Sequence, residues 1–125
     1  MKRELVLLDS IANIDASARG RVVVSGSHGG TSAGKFVLEV GAASYPAIVF
    51  YNDAGGGKNG AGIAALEMLE AEGVAAATYS HDSACIGDAE DGYHNGIITH
   101  VNAAAGDMDI APGAVVHDLV ARLVT

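Results

Sequence analysis

Short apolar blocks recur along the chain, separated by polar or glycine-rich breaks. Residues 4–9 centre on Leu5, Val6, Leu7 and Leu8 and predict a short strand. Residues 10–20 form a connection with one helical turn begun by Asp15 and ended by Gly20. Three valines in residues 21–25 predict a second strand. Residues 31–40 predict a helix with Phe36, Val37 and Val40 on one side; Gly34 weakens it, and Tyr45-Pro46 breaks it. Residues 47–51 (AIVFY) are apolar throughout and predict a strand covered on both faces. The strongest helical pattern spans 61–72. There Ile63, Leu66 and Leu69 share a face, Glu67, Glu70 and Glu72 point outward, and Gly73 is placed as a C-terminal cap. Residues 74–79 predict a fourth strand, 80–95 a polar segment, and 97–101 a fifth strand. Pro112-Gly113 opens a last helix, with Val115, Val116, Leu119, Val120, Leu123 and Val124 at helical spacing and Asp118 four residues before Arg122.

Strands alternating with helical segments imply an α/β domain with a mainly parallel sheet. The expected architecture is a single domain over residues 1–125. It is a three-layer sandwich of about five strands, flavodoxin-like or Rossmann-like in size. Half of the 125 residues are apolar and 17 are glycine, but only 5% are aromatic. Small side chains bury little area each, so assembly into a homo-oligomer is expected to make up the difference.

The net charge of −8 argues against nucleic acid, which requires a positive surface to displace counterions from phosphates. It argues equally against a membrane surface. Cys85 is the single cysteine, so neither an internal disulfide nor a cysteine-based zinc site can form. No apolar run reaches the ~18 residues of a membrane span. Acids interrupt the basic and apolar start too soon for a signal peptide. The expected location is the cytoplasm.

In open α/β sheets, ligands bind at the carboxyl ends of the strands, where helix N-termini and a switch-point crevice converge. Strand two ends in SGSHGG, strand three in NDAGGGK, strand four in SHDSACIGD, and strand five in His100 and Asn102. If the strands are parallel, one rim receives Ser27, His28, Asp53, Lys58, His81 and Asp82. Asp9 joins them if the first strand is parallel too. The opposite rim, near Arg21, Tyr45-Pro46 and Gly73-Val74, carries far less chemistry. Turn preference alone explains isolated Ser, Asp and Gly residues; it explains three turns bearing His or Lys less well.

Several short stretches carry resemblances. Ser25-Gly26-Ser27-His28-Gly29 resembles the G-x-S-x-G nucleophile elbow of α/β-hydrolase lipases and esterases, with Ser in place of the first Gly. It implies Ser27 as nucleophile and the His28 N–H as oxyanion donor. His28-Gly29 and Ala84-Cys85 resemble the paired motifs of caspase-like proteases, which implies His28 activating the Cys85 thiol. The competing reading of Cys85 is a small buried hydrophobe. Gly55, Gly57 and Gly60 satisfy G-x-G-x-x-G. With Asp82 22 residues further on, they resemble a dinucleotide-binding turn. The chemistry of that turn suits an anion: successive glycine N–H groups, a helix N-terminus and Lys58. His28, Asp53, His81 and Asp82 are residue types that would suit a divalent metal, although no ligand spacing is recognisable, and no cofactor is specified.

The first expectation is therefore a small-molecule enzyme, a hydrolase or other water- or proton-transfer enzyme, acting on a small polar or anionic substrate. Ser27 and His28 would supply the nucleophile, acid/base group or polarising contact, and Asp53 with His81 a proton-handling pair. Gly29, Gly30, Gly55, Gly57, Lys58 and Asp82 would hold the substrate. The alternatives are a non-catalytic nucleotide or metabolite binding module, in isolation or within a larger complex, and a structural oligomer whose rim is an interface. His117 is expected to be solvated on the last helix. Tyr51 and Tyr79 are expected in the core with wet hydroxyls.

Overall fold

Consecutive β-branched residues favour extended backbone, and alternation of side chains then decides which face of the sheet each one covers. A computed structural model describes residues 4–124. Residues 1–3, where the basic start was read, and residue 125 lie outside the described residues. Five strands form one sheet in the order 1-2-3-4-5: β1 (Leu5–Leu8), β2 (Val22–His28), β3 (Ile48–Asn52), β4 (Ala75–Tyr79) and β5 (Ile98–Val101). β1 to β4 are mutually parallel and β5 is antiparallel to β4. Val22, Val24, Ile48, Phe50, Ala77 and Tyr79 belong to the core on one face. Val23, Val49, Tyr51 and Ala76 belong to the core on the other. Both faces are covered, which is why the central strands read as unbroken apolar runs. The architecture is the expected three-layer α/β arrangement.

Two short 3₁₀ turns (Ile11–Asn13 and Ala16–Ala18), α1 (Thr31–Leu38) and α2 (Ala65–Ala71) supply Ile11, Ala18, Val37 and Leu69 to the Val23 face. α4 (Ala103–Gly106) and α5 (Val116–Leu123) supply Ala105, Val116, Leu119 and Val120 to the Val22 face, where Tyr93 of α3 (Ala89–Asn95) also packs. Parallel crossovers share one hand, so three that each advance one strand in the same direction lie on the same face. A strand order without reversal has no switch point, so the crevice expected from sequence does not exist here.

The β4–β5 connection leaves the carboxyl end of β4 and re-enters β5 at that same end. β5 must therefore run backwards, and Asn102 is carried to the opposite rim. There Asn102 is a buried clamp. Its Nδ2 donates to the carbonyls of Leu66 (3.3 Å) and Val74 (2.9 Å), and its Oδ1 accepts from the N–H groups of Ala76 and Ala105, both at 3.0 Å.

Several element boundaries differ from the periodicity. β2 continues through His28. The helix expected over 61–72 begins only at Ala65, because Asn59 and Gly60 are left-handed (φ 56° and 73°) within a 3₁₀ segment, Lys58–Ile63. Gly62 lies so close to the Asp53 carbonyl that a Cβ would collide with it. The last helix begins at Val116 rather than Pro112, because the preceding residues pair with β5: the Gly113 N–H donates to the Ile98 carbonyl, and the Ile98 N–H to that of Ala114 (both 2.8 Å). α3 lacks an apolar stripe and is held by its end. The Asp88 side chain accepts from the Asp91 N–H (3.0 Å), and the Asp9 side chain accepts from the Ala89 N–H (2.9 Å). Tyr51 and Tyr79 are fully buried. Their hydroxyls are dry and donate to the carbonyls of Ala33 (3.2 Å) and Ser25 (2.6 Å).

Candidate functional site

β3 ends in Asn52-Asp53, two side chains that bond their own backbone two residues on. Asn52 Oδ1 accepts from the Ala54 N–H and Asp53 Oδ1 from the Gly55 N–H, both at 2.8 Å. Gly55 takes φ +75°, a conformation natural to glycine. This turn holds the Asp53 carboxylate over the rim. Oδ1 also accepts from the His81 backbone N–H (3.0 Å) and lies 3.2 Å from His81 Nδ1. Oδ2 accepts from the hydroxyl of Thr99 at 2.9 Å. One carboxylate thus ties the ends of β3 and β4 to the start of β5.

Asp53 is buried, whereas the His81 side chain is 49% exposed. Burial works to raise the Asp53 pKa, but donations from the Gly55 N–H, the Thr99 hydroxyl, the His81 N–H and the His81 ring outweigh it. They hold the carboxyl below the ordinary carboxylate range. An ionised carboxylate only accepts, so His81 Nδ1 carries the proton between them. Nε2 is the outer nitrogen, 3.3 Å from Oδ1 of the exposed Asp82. Gly55 packs against the ring: a Cβ there would sit 3.4 Å from His81 Cε1. The result is an imidazole whose inner nitrogen is fixed and whose outer nitrogen faces solvent.

The other sequence candidates are placed differently. Ser27 lies within β2, with no left-handed turn, so the nucleophile-elbow geometry is not formed. Its Oγ accepts from the Ile11 N–H (3.0 Å), and among the described residues no hydrogen bond joins it to a histidine. His28 is exposed, and its ring lies against Gly30. Gly29 is structural: its N–H donates to the Asn52 carbonyl (3.2 Å) and its carbonyl accepts from the Ala65 N–H (2.8 Å). Gly30 is the N-cap of α1.

The glycine turn does not present a row of open N–H groups. Gly55 donates to the Asp53 side chain and Gly56 to the Asp53 carbonyl. Gly57 and Lys58 lead into the 3₁₀ segment rather than an α-helix, which removes the helix N-terminus expected behind the dinucleotide-like turn.

Cys85 is exposed, not buried. A side-chain hydrogen bond to Asp91, the Asp91 charge and, further off, Asp88 push its thiol pKa up. This is the reverse of what a cysteine nucleophile requires. Among the described residues, no three His, Cys, Asp or Glu side chains form a group that would hold a metal ion. His117 is exposed as expected, near Tyr93 and His94.

Thr99 went unnoticed in the sequence. Its signal is a lone hydroxyl in an otherwise apolar strand start, bonded across the sheet to Thr78 Oγ1 at 3.0 Å. Comparison with family models, with curated proteins and with solved structures finds no match. Fold and site define the class of this protein: an α/β sheet protein in which a buried aspartate meets a half-exposed histidine at the carboxyl rim. No helix among the described residues is long and apolar enough to cross a membrane.

Proposed function

We propose that this chain is a small-molecule enzyme, a hydrolase or other water- or proton-transfer enzyme, with His81 as its proton-handling group. The observation that carries this reading is the contact between Asp53 Oδ1 and His81 Nδ1, 3.2 Å, at the edge between buried and exposed surface. Asp53 orients the ring and stabilises the imidazolium formed when Nε2 takes a proton from water or substrate. Asp82, exposed beside Nε2, is a side chain that a substrate would displace. Lys58, in the loop after β3, would hold a polar or anionic substrate group. Ser27 and His28 have no assigned role in this scheme, and no nucleophile is assigned. Cytoplasmic location and self-association remain part of the reading. The lone cysteine supports the first, and the half-buried Leu5–Leu8 edge strand supports the second.

The test is a screen of small esters, lactones, amides and phosphate esters with wild type, His81→Gln and Lys58→Ala. General acid–base catalysis contributes roughly 10²–10⁴-fold. Turnover of any one substrate should fall by at least about a hundredfold in His81→Gln, with a weaker effect of Lys58→Ala on KM. Turnover unchanged in His81→Gln rules out this assignment. A second reading, a non-catalytic nucleotide or metabolite binding module, draws on Asp53 bonding its own turn and two other chain segments, as a purely structural clamp would. Saturable binding without turnover would favour it.

A further inference from the structure

A groove of about 690 Å³ runs along α2 beside the end of β5. Topology explains it. α2 is the last helix on its face of the sheet, and the β4–β5 connection through α3 crosses the other face, so among the described residues no element covers β5 next to α2. The volume falls in the ~300–1,000 Å³ range of small-ligand sites. Ile63, Ala64, Leu66 and Val101 supply an apolar wall. The polar groups are Asn59, Glu67, Glu70, His100 and Asn102, and among the described residues no lysine or arginine lines the groove. The Asn102 amide is consumed by its backbone bonds, and Glu70 Oε1 accepts from the Ala104 N–H at 2.9 Å.

His100 contacts two threonine hydroxyls, one of them bonded to the Asp53 carboxylate. Its Nδ1 lies 3.2 Å from Thr78 Oγ1 and 3.2 Å from Thr99 Oγ1, and the two hydroxyl oxygens are 3.0 Å apart. Thr99 has one hydroxyl proton. The Asp53 carboxylate at 2.9 Å takes it in preference to the Thr78 carbonyl at 3.4 Å. The Thr78–Thr99 contact must then use the Thr78 proton. With Nδ1 as donor each of these contacts carries a proton, whereas with Nδ1 as acceptor the single Thr78 proton leaves either the Thr99 or the His100 contact without one, which assigns Nδ1 as the donor. In the neutral ring the lone pair sits on Nε2, the nitrogen left for the groove. Every ionisable group available there, His100 Nε2 and the Glu67 and Glu70 carboxylates, is therefore an acceptor.

We propose that this groove binds a small organic ammonium ion with an apolar body, its N–H groups donated to His100 Nε2 and the glutamates. The apolar body would lie along Ile63, Ala64 and Val101. This groove is linked to the His81 pair through Thr99 and Asp53, but ammonium binding is measured with no substrate turned over, so its failure and the failure of the His81 reading are told apart.

The experiment uses the full chain and hexylammonium, with hexanoate and hexanol as controls, followed by amide NMR shifts at pH 8. The expected result is saturable shifts at Ile63, Glu67, His100 and Val101 with hexylammonium. Hexanol should bind more weakly, and hexanoate should give no shift there. Glu67→Gln, a surface change that leaves the core untouched, should weaken binding about two- to fivefold, and His100→Phe should weaken it further. Long-range ¹H–¹⁵N correlation should show the Nδ1–H tautomer of His100. The proposal is overturned if hexanoate or hexanol binds as tightly as the ammonium, if no shifts appear in the groove, or if His100 carries its proton on Nε2.

Discussion

Replacing Asp53 by Asn keeps the side-chain shape but places an NH₂ group where Oδ2 stood. The retained oxygen still accepts from Gly55 and His81, now as neutral bonds. Thr99, which donates to Oδ2, meets a donor instead and must turn its hydroxyl toward the Thr78 carbonyl, at the longer 3.4 Å. Hydrogen bonds to a charged group contribute about 1.5–3 kcal/mol and neutral ones about 0.5–1.5. Each donation thus loses about 1 kcal/mol, and the half-exposed His81 ring contributes least. The expected loss at pH 7 is about 2–3 kcal/mol. Urea unfolding reads it as a lower midpoint at unchanged slope, a drop of about 1–2 M for a domain of this size.

The sign of the pH dependence follows from the same bonds. The folded pKa of Asp53 lies below its unfolded value, which is about 3.9. Its contribution is therefore present above that value and lost as pH falls through the depressed folded pKa. Asn does not titrate, so the gap between wild type and variant should close in that acid window. A variant within about 0.5 kcal/mol of wild type at pH 7, on the scale of an ordinary surface change, would refute the reasoning. So would a gap that stays constant into acid.

Asn102→Ala should cost about 3 kcal/mol by the same assay, since it leaves two buried N–H groups and two carbonyls without their partner; a loss under 1 kcal/mol would show that water replaces the amide. Asp91→Asn removes the hydrogen bond and charge that raise the Cys85 thiol pKa. Iodoacetamide should then alkylate Cys85 several-fold faster at pH 7.5, and an unchanged rate would contradict that origin of the shift.

The strands were legible because the signal is local. Val22 to Val24 and Ile48 to Tyr51 cannot satisfy water on either side, and a two-faced buried strand is the cheapest place for them. α5 was legible through its helical spacing, and Gly73 through its place after an apolar stripe. Asp53 and His81 were legible as members of one rim once β3 and β4 were taken as parallel. The contact between them was not, because it depends on an Asx turn at Asp53 and on the backbone N–H of His81 meeting the same oxygen. Ser27 fitted a motif whose meaning lies in backbone angles, and a strand that continues through His28 removes those angles. Composition, alternation and turn residues are properties of neighbours along the chain, and these the sequence determined by itself. The direction of β5 and the uncovered groove beside α2 follow from how the chain crosses the sheet, and the Asp53–Thr99 bond joins residues 46 positions apart. Only the tertiary structure decided them, because which hydroxyl donates to which carboxylate depends on strand order and not on spacing.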